Sequence, residues 1–192
     1  MMSPHRDPRS DRTRLATHEA LLDLLQDTNM RDITVTTVCR RAGISRGTFY
    51  RHWADIDTLT DELIDQALDD GAGDAAQNHL AECQRAPVRR EYLALFTSPE
   101  LAGRVVSRIV ARNAQAQVDT LRRRTGLGRP QAEALFHYLV MGTLAINRAF
   151  RWGELPGWRP VQEATDVFVT GGIEALEHRY GRDRAAADPG TD

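Results

Sequence analysis

The sequence predicts an all-α protein: an N-terminal three-helix unit, joined by a connecting helix to a larger C-terminal helical bundle. Apolar residues recur at helical spacing through most of the 192 residues, and no stretch stands as a strand, since the alternating "ITVTTV" runs directly into the next helical signal. The chain is long enough for one large domain or two small ones. The stretch "DDGAGDAAQN" (69–78) dilutes the apolar pattern and contains two glycines, so it is the best candidate boundary.

Charge separates the two parts. Net charge is only -2, yet residues 1–53 carry nine arginines against six acidic residues, and the remainder is acidic. This change of sign points the N-terminal part toward a polyanion. Every basic residue apart from histidine is Arg, whose planar fork binds phosphate or guanine through two N–H groups at once.

Local start and stop signals define four N-terminal helices. The first runs from about Arg9 or Asp11 to Gln26, and its apolar stripe includes Leu15, Leu22 and Leu25. Helix-capping residues place the other three: Thr34 begins a helix over 35–41 that Gly43 ends, Ser45 begins one over 46–52, and Asp55 begins a fourth with Ile56, Leu59, Leu63 and Ala67 on one face.

Longer helices follow in the second part. Ser98-Pro99-Glu100 is expected to start a helix that reaches nearly to Gly126, with a break around Asn113 left open. The next helix is expected to begin with Pro130 and stop at Gly153, and the last to begin at Pro160 and end before Gly181. The residues after it read as a disordered tail.

The stretch "AGISRGTFYRHW" (42–53) carries the functional signal. Two short helices joined by a tight turn are the geometry of a helix-turn-helix, whose second helix fits the major groove of DNA. Here that helix would bury Phe49 and Trp53, four residues apart, and Gly47 would let it lie close to a surface. Its outward residues are Arg46, Thr48, Arg51 and His52. The alternative is a helical corner whose polar face is merely solvated.

The longer stretch "ITVTTVCRRAGISRGTFYRHWADIDTL" resembles the N-terminal DNA-binding domain of the TetR family of transcriptional regulators, over roughly residues 10–65. The resemblance implies phosphate contacts from Thr34 and from the N–H groups of Val35 and Thr36. It places Ser45, Arg46, Gly47 and Thr48 against bases or adjacent phosphates, and Tyr50 and His52 on the DNA backbone. With the outward Arg51, these ten residues are the candidate DNA-binding site.

One position departs from the family pattern. The family usually has a basic residue at the start of the fourth helix to hold a phosphate, whereas this chain has Ile56 between Asp55 and Asp57. That contact is expected to be absent. The N-terminal arginines, Arg9, Arg12 and Arg14, are the candidates to supply the lost phosphate contact.

The segment "YLVMGTLAINRAFRWGELPGWRPVQEATDVFVTGGIEAL" resembles the last two helices of many TetR-type C-terminal domains, which form a four-helix dimer interface. Small residues would let such helices approach closely. The candidate interface comprises Gly142, Ala145, Phe168, Gly171, Gly172 and Ala175. Family resemblance also implies an effector pocket, for a mainly apolar small molecule, and its candidate residues are Tyr92, Phe96, His137, Tyr138, Met141, Asn147 and Trp152.

The sequence therefore predicts a homodimeric DNA-binding regulator, most simply a repressor that a small molecule releases from a palindromic operator. The alternative is a helical ligand-binding or interaction protein whose helix-turn-helix no longer reads DNA. No catalytic motif, metal-ligand spacing, cofactor loop, secretory signal or membrane span is recognisable, so we expect no enzyme, no cofactor and a cytoplasmic location. The expected division is a disordered arm (1–9), a DNA-binding domain (10–56), an effector-binding and dimerisation domain (57–181) and a disordered tail (182–192).

Overall fold

The computed structural model describes residues 8–75 and 89–187, and every regular element in those ranges is helical. The all-α prediction is therefore confirmed. Three 3₁₀ turns cover Met30–Asp32, Arg90–Tyr92 and Arg151–Gly153. The α-helices are α1 (Pro8–Asp27), α2 (Val35–Ala42), α3 (Arg46–His52), α4 (Ile56–Ala75), α5 (Leu93–Thr97), α6 (Ala102–Thr125), α7 (Arg129–Ala149) and α8 (Trp158–Ala187).

The described residues divide into two compact units. The first takes in 8–73 and 89–105, and the second takes in 74–75 and 106–187. The division at 73/74 falls within the glycine-containing stretch 69–78, although α4 continues across it as a helix to Ala75. The first unit thus extends beyond the residues 10–56 that sequence predicts as the DNA-binding domain.

The first unit is built around the helix-turn-helix. Helix α1 packs against α2 and α5, and α2 packs against α3. Leu21, Val38 and Phe49 from these helices and Leu59 from α4 are completely buried. Leu15 is an exception to the predicted apolar stripe, since it is 56% exposed and lines the cleft between α1 and α4 instead of the core.

The second unit has its own core. Val118 and Leu121 from α6 are buried, as are Phe136 and Val140 from α7. Helix α6 ends at Thr125, and the next residue, Gly126, has a left-handed backbone (φ 77°). A Cβ atom on this residue would lie 2.9 Å from the carbonyl oxygen of Tyr180, so only glycine fits where the end of α6 meets α8.

Helix α6 starts later than the sequence predicted, and the break left open around Asn113 does not occur. The helix begins at Ala102, because the Ser98 hydroxyl donates to the Glu100 carboxylate (3.0 Å) instead of capping a backbone N–H. It then runs unbroken past Asn113, whose side-chain amide donates to the Ile109 carbonyl oxygen at 3.1 Å. Pro99 instead belongs to a turn that the Ala102 N–H closes.

The limits of α7, α8 and α1 also differ from those expected. Helix α7 ends at Ala149, before Gly153, because Arg151 and Trp152 adopt left-handed backbone angles (φ 45° and 51°). Helix α8 begins at Trp158 and continues through 182–187, which sequence predicted as disordered tail; residues 188–192 lie outside the described residues. At the other end α1 begins at Pro8, and residues 1–7 of the predicted arm lie outside the described residues.

Candidate nucleic-acid interface

The start of α2 is an exposed helix N-terminus held by a capping box. The N–H of Thr34 donates to the Thr37 hydroxyl (2.9 Å), and the N–H of Thr37 donates to the Thr34 hydroxyl (3.2 Å). This reciprocal pair satisfies two N–H groups of the first turn. The N–H groups of Val35 and Thr36 are then the ones that helix geometry leaves for an outside acceptor, as a phosphate contact requires.

A tight turn joins α2 to α3. Gly43 ends α2 in the left-handed region (φ 67°, ψ 30°), and the Ile44 N–H donates to the Cys39 carbonyl oxygen at 3.0 Å. Ser45 then caps α3, because its hydroxyl accepts from the Thr48 N–H at 3.0 Å. The predicted limits of α3, Arg46 and His52, are those observed.

Helix α3 has two distinct faces. Phe49 and Trp53 are buried, 0% and 1% exposed, and anchor the helix to the first unit with their rings 5.3 Å apart. The opposite face carries the predicted recognition residues. Ser45, Arg46, Gly47, Tyr50 and Arg51 are exposed, and Thr48 and His52 are half-buried.

Arg46 and Tyr50 form a pair on this outer face. The Arg46 guanidinium lies 5.9 Å from the centre of the Tyr50 ring, and its Nη2 donates to the Tyr50 hydroxyl at 3.5 Å. Tyr50 is itself 49% exposed. The phenol therefore orients the guanidinium without covering it, which leaves its N–H groups available to a base edge or a phosphate.

Gly47 lies between Arg46 and Tyr50 in sequence, and neither its backbone angles nor its neighbours in the chain require glycine there. Its backbone is helical, and an added Cβ would meet only the Ser45 hydroxyl oxygen, at an ordinary 3.8 Å. Glycine inside a helix costs about 1 kcal/mol relative to alanine. Packing within the chain does not require glycine at this position, whereas close approach of an outside surface does.

The start of α4 has no basic residue of its own, but an arginine from another helix pairs with its carboxylates. Asp55 caps α4, and hydrogen bonds from the Thr58 N–H and hydroxyl (both 2.7 Å) hold the pKa of the Asp55 carboxyl below its ordinary value. Arg104 binds the next carboxylates, with Nη2 at 2.7 Å from Asp57 and Nη1 at 3.0 Å from Asp61. Ile56 is half-buried between these charges.

Arg14 does not lie free for a phosphate. Its guanidinium pairs with the Glu62 carboxylate and sits 5.8 Å from the centre of the Trp53 ring. Of the three arginines expected to replace the missing phosphate contact, Arg14 is therefore committed to the interior side of α1. Arg9 and Arg12 are exposed near the start of that helix.

The predicted effector residues come from both units. Tyr92 and Phe96 are buried in the first unit, where the Tyr92 hydroxyl donates to Asp70 at 2.7 Å and burial raises the pKa of that hydroxyl. The others belong to the second unit. His137, Tyr138 and Met141 are on the exposed side of α7, Asn147 is buried and accepts from the Gln162 amide at 3.2 Å, and Trp152 is half-buried.

The predicted interface residues all lie outside the core of the second unit. Phe168 is 68% exposed, and Ala145, Gly171, Gly172 and Ala175 are also exposed. A Cβ atom on Gly142, Gly171 or Gly172 would meet nothing within 4 Å. Phe168, Gly171, Gly172 and Ala175 recur at helical spacing along α8, so they form one uncovered stripe.

Cys39 belongs to the core. It is 5% exposed, and burial raises the pKa of its thiol, which disfavours the reactive thiolate. Cys83 lies outside the described residues. Residues 8–75 and 89–187 hold no group of three or more side chains suited to a metal ion and no helix that could cross a bilayer.

A family model for "Bacterial regulatory proteins, tetR family" matches residues 19–63, the segment that contains the capped helices and the α3 face described above. Residues 19–63 thus form a TetR-type domain. Among solved structures it is similar to the TetR family repressor AlkX from Dietzia sp. strain DQ12-45-1b, described as implicated in the biodegradation of n-alkanes. The two chains share 17% identity over 94% of this chain and 98% of AlkX, with a TM-score of 0.43. No curated protein sequence matches.

Two residues of the first unit were missed by the sequence predictions. Glu62 binds side chains from α1 and α3, and Arg104 binds the start of α4. Their partners lie up to 48 residues away along the chain, as with Arg14 and Glu62, and a single sequence carries no signal for such a pairing. Sequence periodicity shows only that Glu62 lies beside the apolar stripe of α4.

Proposed function

We propose that this protein is a TetR-type repressor that binds a palindromic operator as a homodimer and leaves it when an apolar small molecule binds the C-terminal part. The exposed face of α3 carries the proposal. It combines oriented donors with a glycine that packing within the chain does not require. A solvated corner would need neither feature.

Each part of the helix-turn-helix has a role in this proposal. Arg46 is the candidate for reading a guanine, whose O6 and N7 accept two hydrogen bonds from one guanidinium. Thr34, the N–H groups of α2 and Tyr50 bind phosphates and fix the register of the protein on DNA. Arg51 and His52, near the end of α3, add contacts to the DNA backbone.

Dimerisation follows from the demands of recognition and is supported by the stripe on α8. One recognition helix reads few base pairs, whereas two that bind half-sites one turn apart gain affinity and specificity together. The exposed Phe168, flanked by residues with little or no side chain, offers a surface on which a second copy can pack closely. Large uncovered apolar residues commonly mark such interfaces.

Release by an effector is a coupling between two sites. A ligand that binds more tightly to the DNA-free conformation lowers the affinity for DNA, typically about 5–150-fold. The candidate pocket residues in the second unit are largely apolar or aromatic, which suits an apolar ligand. We assign the chain no catalytic role, and we place its action in the cytoplasm, with the chromosome.

Selection from random duplexes with the full chain tests this proposal. We expect enrichment of an inverted repeat whose half-sites are about 10 base pairs apart, or a multiple of that spacing. Recovery of single half-sites would contradict the dimer. Failure to enrich any sequence would favour the alternative, a ligand-binding or interaction protein whose helix-turn-helix no longer reads DNA.

A further inference from the structure

Glu62 connects three helices through one carboxylate. Its Oε1 accepts from His18 Nε2 at 3.0 Å and pairs with the Arg14 guanidinium, both on α1. Its Oε2 accepts from Trp53 Nε1 at 3.1 Å. Glu62 itself lies on α4, so the end of α3, the middle of α1 and the first half of α4 share this group.

On the α3 side, Glu62 binds the residue that ends the recognition helix. Trp53 is the C-cap of α3, and its N–H closes the helix on the Phe49 carbonyl oxygen at 3.0 Å. The indole is 1% exposed and packs against the rings of Phe49, His52 and His18. A movement of this ring therefore moves the C-terminal end of α3.

On the α1 side, Glu62 binds a buried histidine through one defined ring nitrogen. His18 is 5% exposed, and burial lowers the pKa of its imidazole, against the opposing effects of Glu62 and Gln66. The neutral ring must carry its proton on Nε2 to donate to the carboxylate. Arg14 contacts both partners, because its guanidinium lies over the Trp53 ring and pairs with the Glu62 carboxylate.

We propose that Glu62 is a positioning residue for DNA recognition, which holds the C-terminal end of α3 at the angle that presents Arg46 and Tyr50 to base edges. This inference rests on the DNA binding proposed above. Base readout requires contacting groups held within about 0.5 Å of the productive geometry. Phosphate contacts depend mainly on charge and tolerate larger shifts. Loss of the carboxylate should therefore reduce operator affinity and spare the affinity for random DNA.

Glu62→Gln is the main test, because it keeps the size of the side chain but removes its charge and one of its two acceptor oxygens. In the amide an NH2 group takes the place of one carboxylate oxygen, so a donor faces a donor on either the Trp53 side or the α1 side. Trp53→Phe removes the indole donor from the other end. With the selected operator and a random duplex, fluorescence anisotropy of each full-length variant should show operator affinity about tenfold weaker, and random-duplex affinity within about twofold of wild type.

The double variant tests whether the two residues act as one unit. If Glu62 acts on DNA through Trp53, the double variant should lose about as much operator affinity as either single variant, since the second change removes a connection already broken. Multiplied losses, about 100-fold, would show independent effects and contradict the proposal. Asp69→Asn is the matched control, because Asp69 is an exposed carboxylate on the same helix and cleft, and it should bind like wild type.

A third measurement, by NMR, follows the hydrogen bond between the Trp53 indole and the Glu62 carboxylate directly. The indole N–H resonance of Trp53, assigned by its loss in Trp53→Phe, should shift upfield in Glu62→Gln and stay in place in Asp69→Asn. Equal losses on operator and random DNA, in parallel with a smaller folded fraction by circular dichroism, would show a purely structural role and overturn the positioning role. If wild type itself binds no duplex in a salt-sensitive way, the proposed function fails instead.

Discussion

Arg46 is the residue on which sequence-specific binding depends most directly. Its guanidinium is exposed and oriented by Tyr50. Arg46→Ala should cost about 1–3 kcal/mol of binding free energy at the operator and less on random DNA. Anisotropy with both duplexes measures this difference.

Arg40→Ala provides the control for Arg46, since Arg40 is an exposed arginine in the last turn of α2 outside the candidate site. Arg40→Ala removes the same charge and should weaken binding to both duplexes modestly and to the same extent. If Arg46→Ala also weakens both duplexes equally, Arg46 binds phosphate and does not read a base.

His18 makes stability depend on pH. Burial lowers the pKa of its imidazole below the ordinary 6.5, so the unfolded chain binds a proton at higher pH than the folded chain does. The stabilisation from neutral His18 is then fully present above pH 6.5 and is lost as pH falls through 6.5 toward the lower native pKa. Glu62 and Gln66 raise the pKa of the same ring and Arg14 lowers it; the cleft beside His18 is also lined by Asp11, Asp65, Asp69 and Asp70.

Urea unfolding between pH 5 and pH 8 tests this dependence. His18→Gln keeps a donor near Glu62 but does not titrate, so its unfolding free energy should fall less steeply below pH 6.5 than that of wild type. His137→Gln, an exposed histidine of α7, should keep the wild-type slope. Parallel curves for wild type and His18→Gln would contradict the assignment.

The outward and inward residues of α3 could be predicted because they depend on local geometry alone. Phe49 and Trp53 are four residues apart on one helix face, and burying both places Arg46 and Tyr50 on the other. The role of Arg14 could not be predicted, because it depends on Glu62, 48 positions along the chain and on another helix. The same holds for the indole hydrogen bond of Trp53.

At the scale of helices, Arg104 connects the start of α4 to the start of α6 by its contacts to Asp57 and Asp61. Arg104→Ala would leave the carboxylate of Asp57, which is 66% exposed, uncompensated beside the recognition unit. We expect weaker binding to operator and random DNA alike, because an exposed negative charge repels phosphates whatever the sequence.

Adding Asp57→Asn to Arg104→Ala should restore most of the lost DNA affinity, because it removes the repelling charge. The paired anisotropy titrations should also differ most at low salt and converge as salt rises. A double variant as weak as Arg104→Ala alone would show that Arg104 acts through the packing of α6 and not through charge.

Helix limits could be predicted where the capping bond is local and uncontested. Ser45 and Asp55 each cap a helix through an N–H three residues away, and both starts agree with the sequence. Ser98 has the same sequence signature of an N-cap, but its hydroxyl donates to the Glu100 carboxylate instead, and α6 starts later, at Ala102. Helix α8 also passes Gly181, because no residue there stops it.

At the scale of the whole molecule, the exposed stripe on α8 leads us to expect that the protein forms a dimer. Phe168→Asp places a charge in the centre of the proposed interface and should yield monomers in sedimentation velocity at concentrations where wild type is dimeric. Leu155→Asp makes the same change at another exposed apolar residue, outside the stripe, and should remain dimeric. A monomeric wild type, or a dimeric Phe168→Asp, would contradict the proposed interface.

The all-α architecture and the N-terminal unit could be predicted because helical periodicity and capping residues are local properties of the sequence. The effector site could not. Its candidates were chosen as polar or aromatic residues within apolar helices, and the structure distributes them between the core, as with Phe96, and the surface, as with Tyr138. Whether such a residue lines a cavity depends on packing between distant helices, which periodicity does not encode.

The most direct test of the account is a salt titration of the full chain on its selected operator and on a random duplex of equal length. We predict tight, selective binding at low salt and a logarithmic affinity that falls linearly with the logarithm of salt concentration, as expected when arginines and helix N-termini displace counterions from phosphates. Equal, weak and salt-insensitive binding to both duplexes would contradict DNA recognition by this helix-turn-helix.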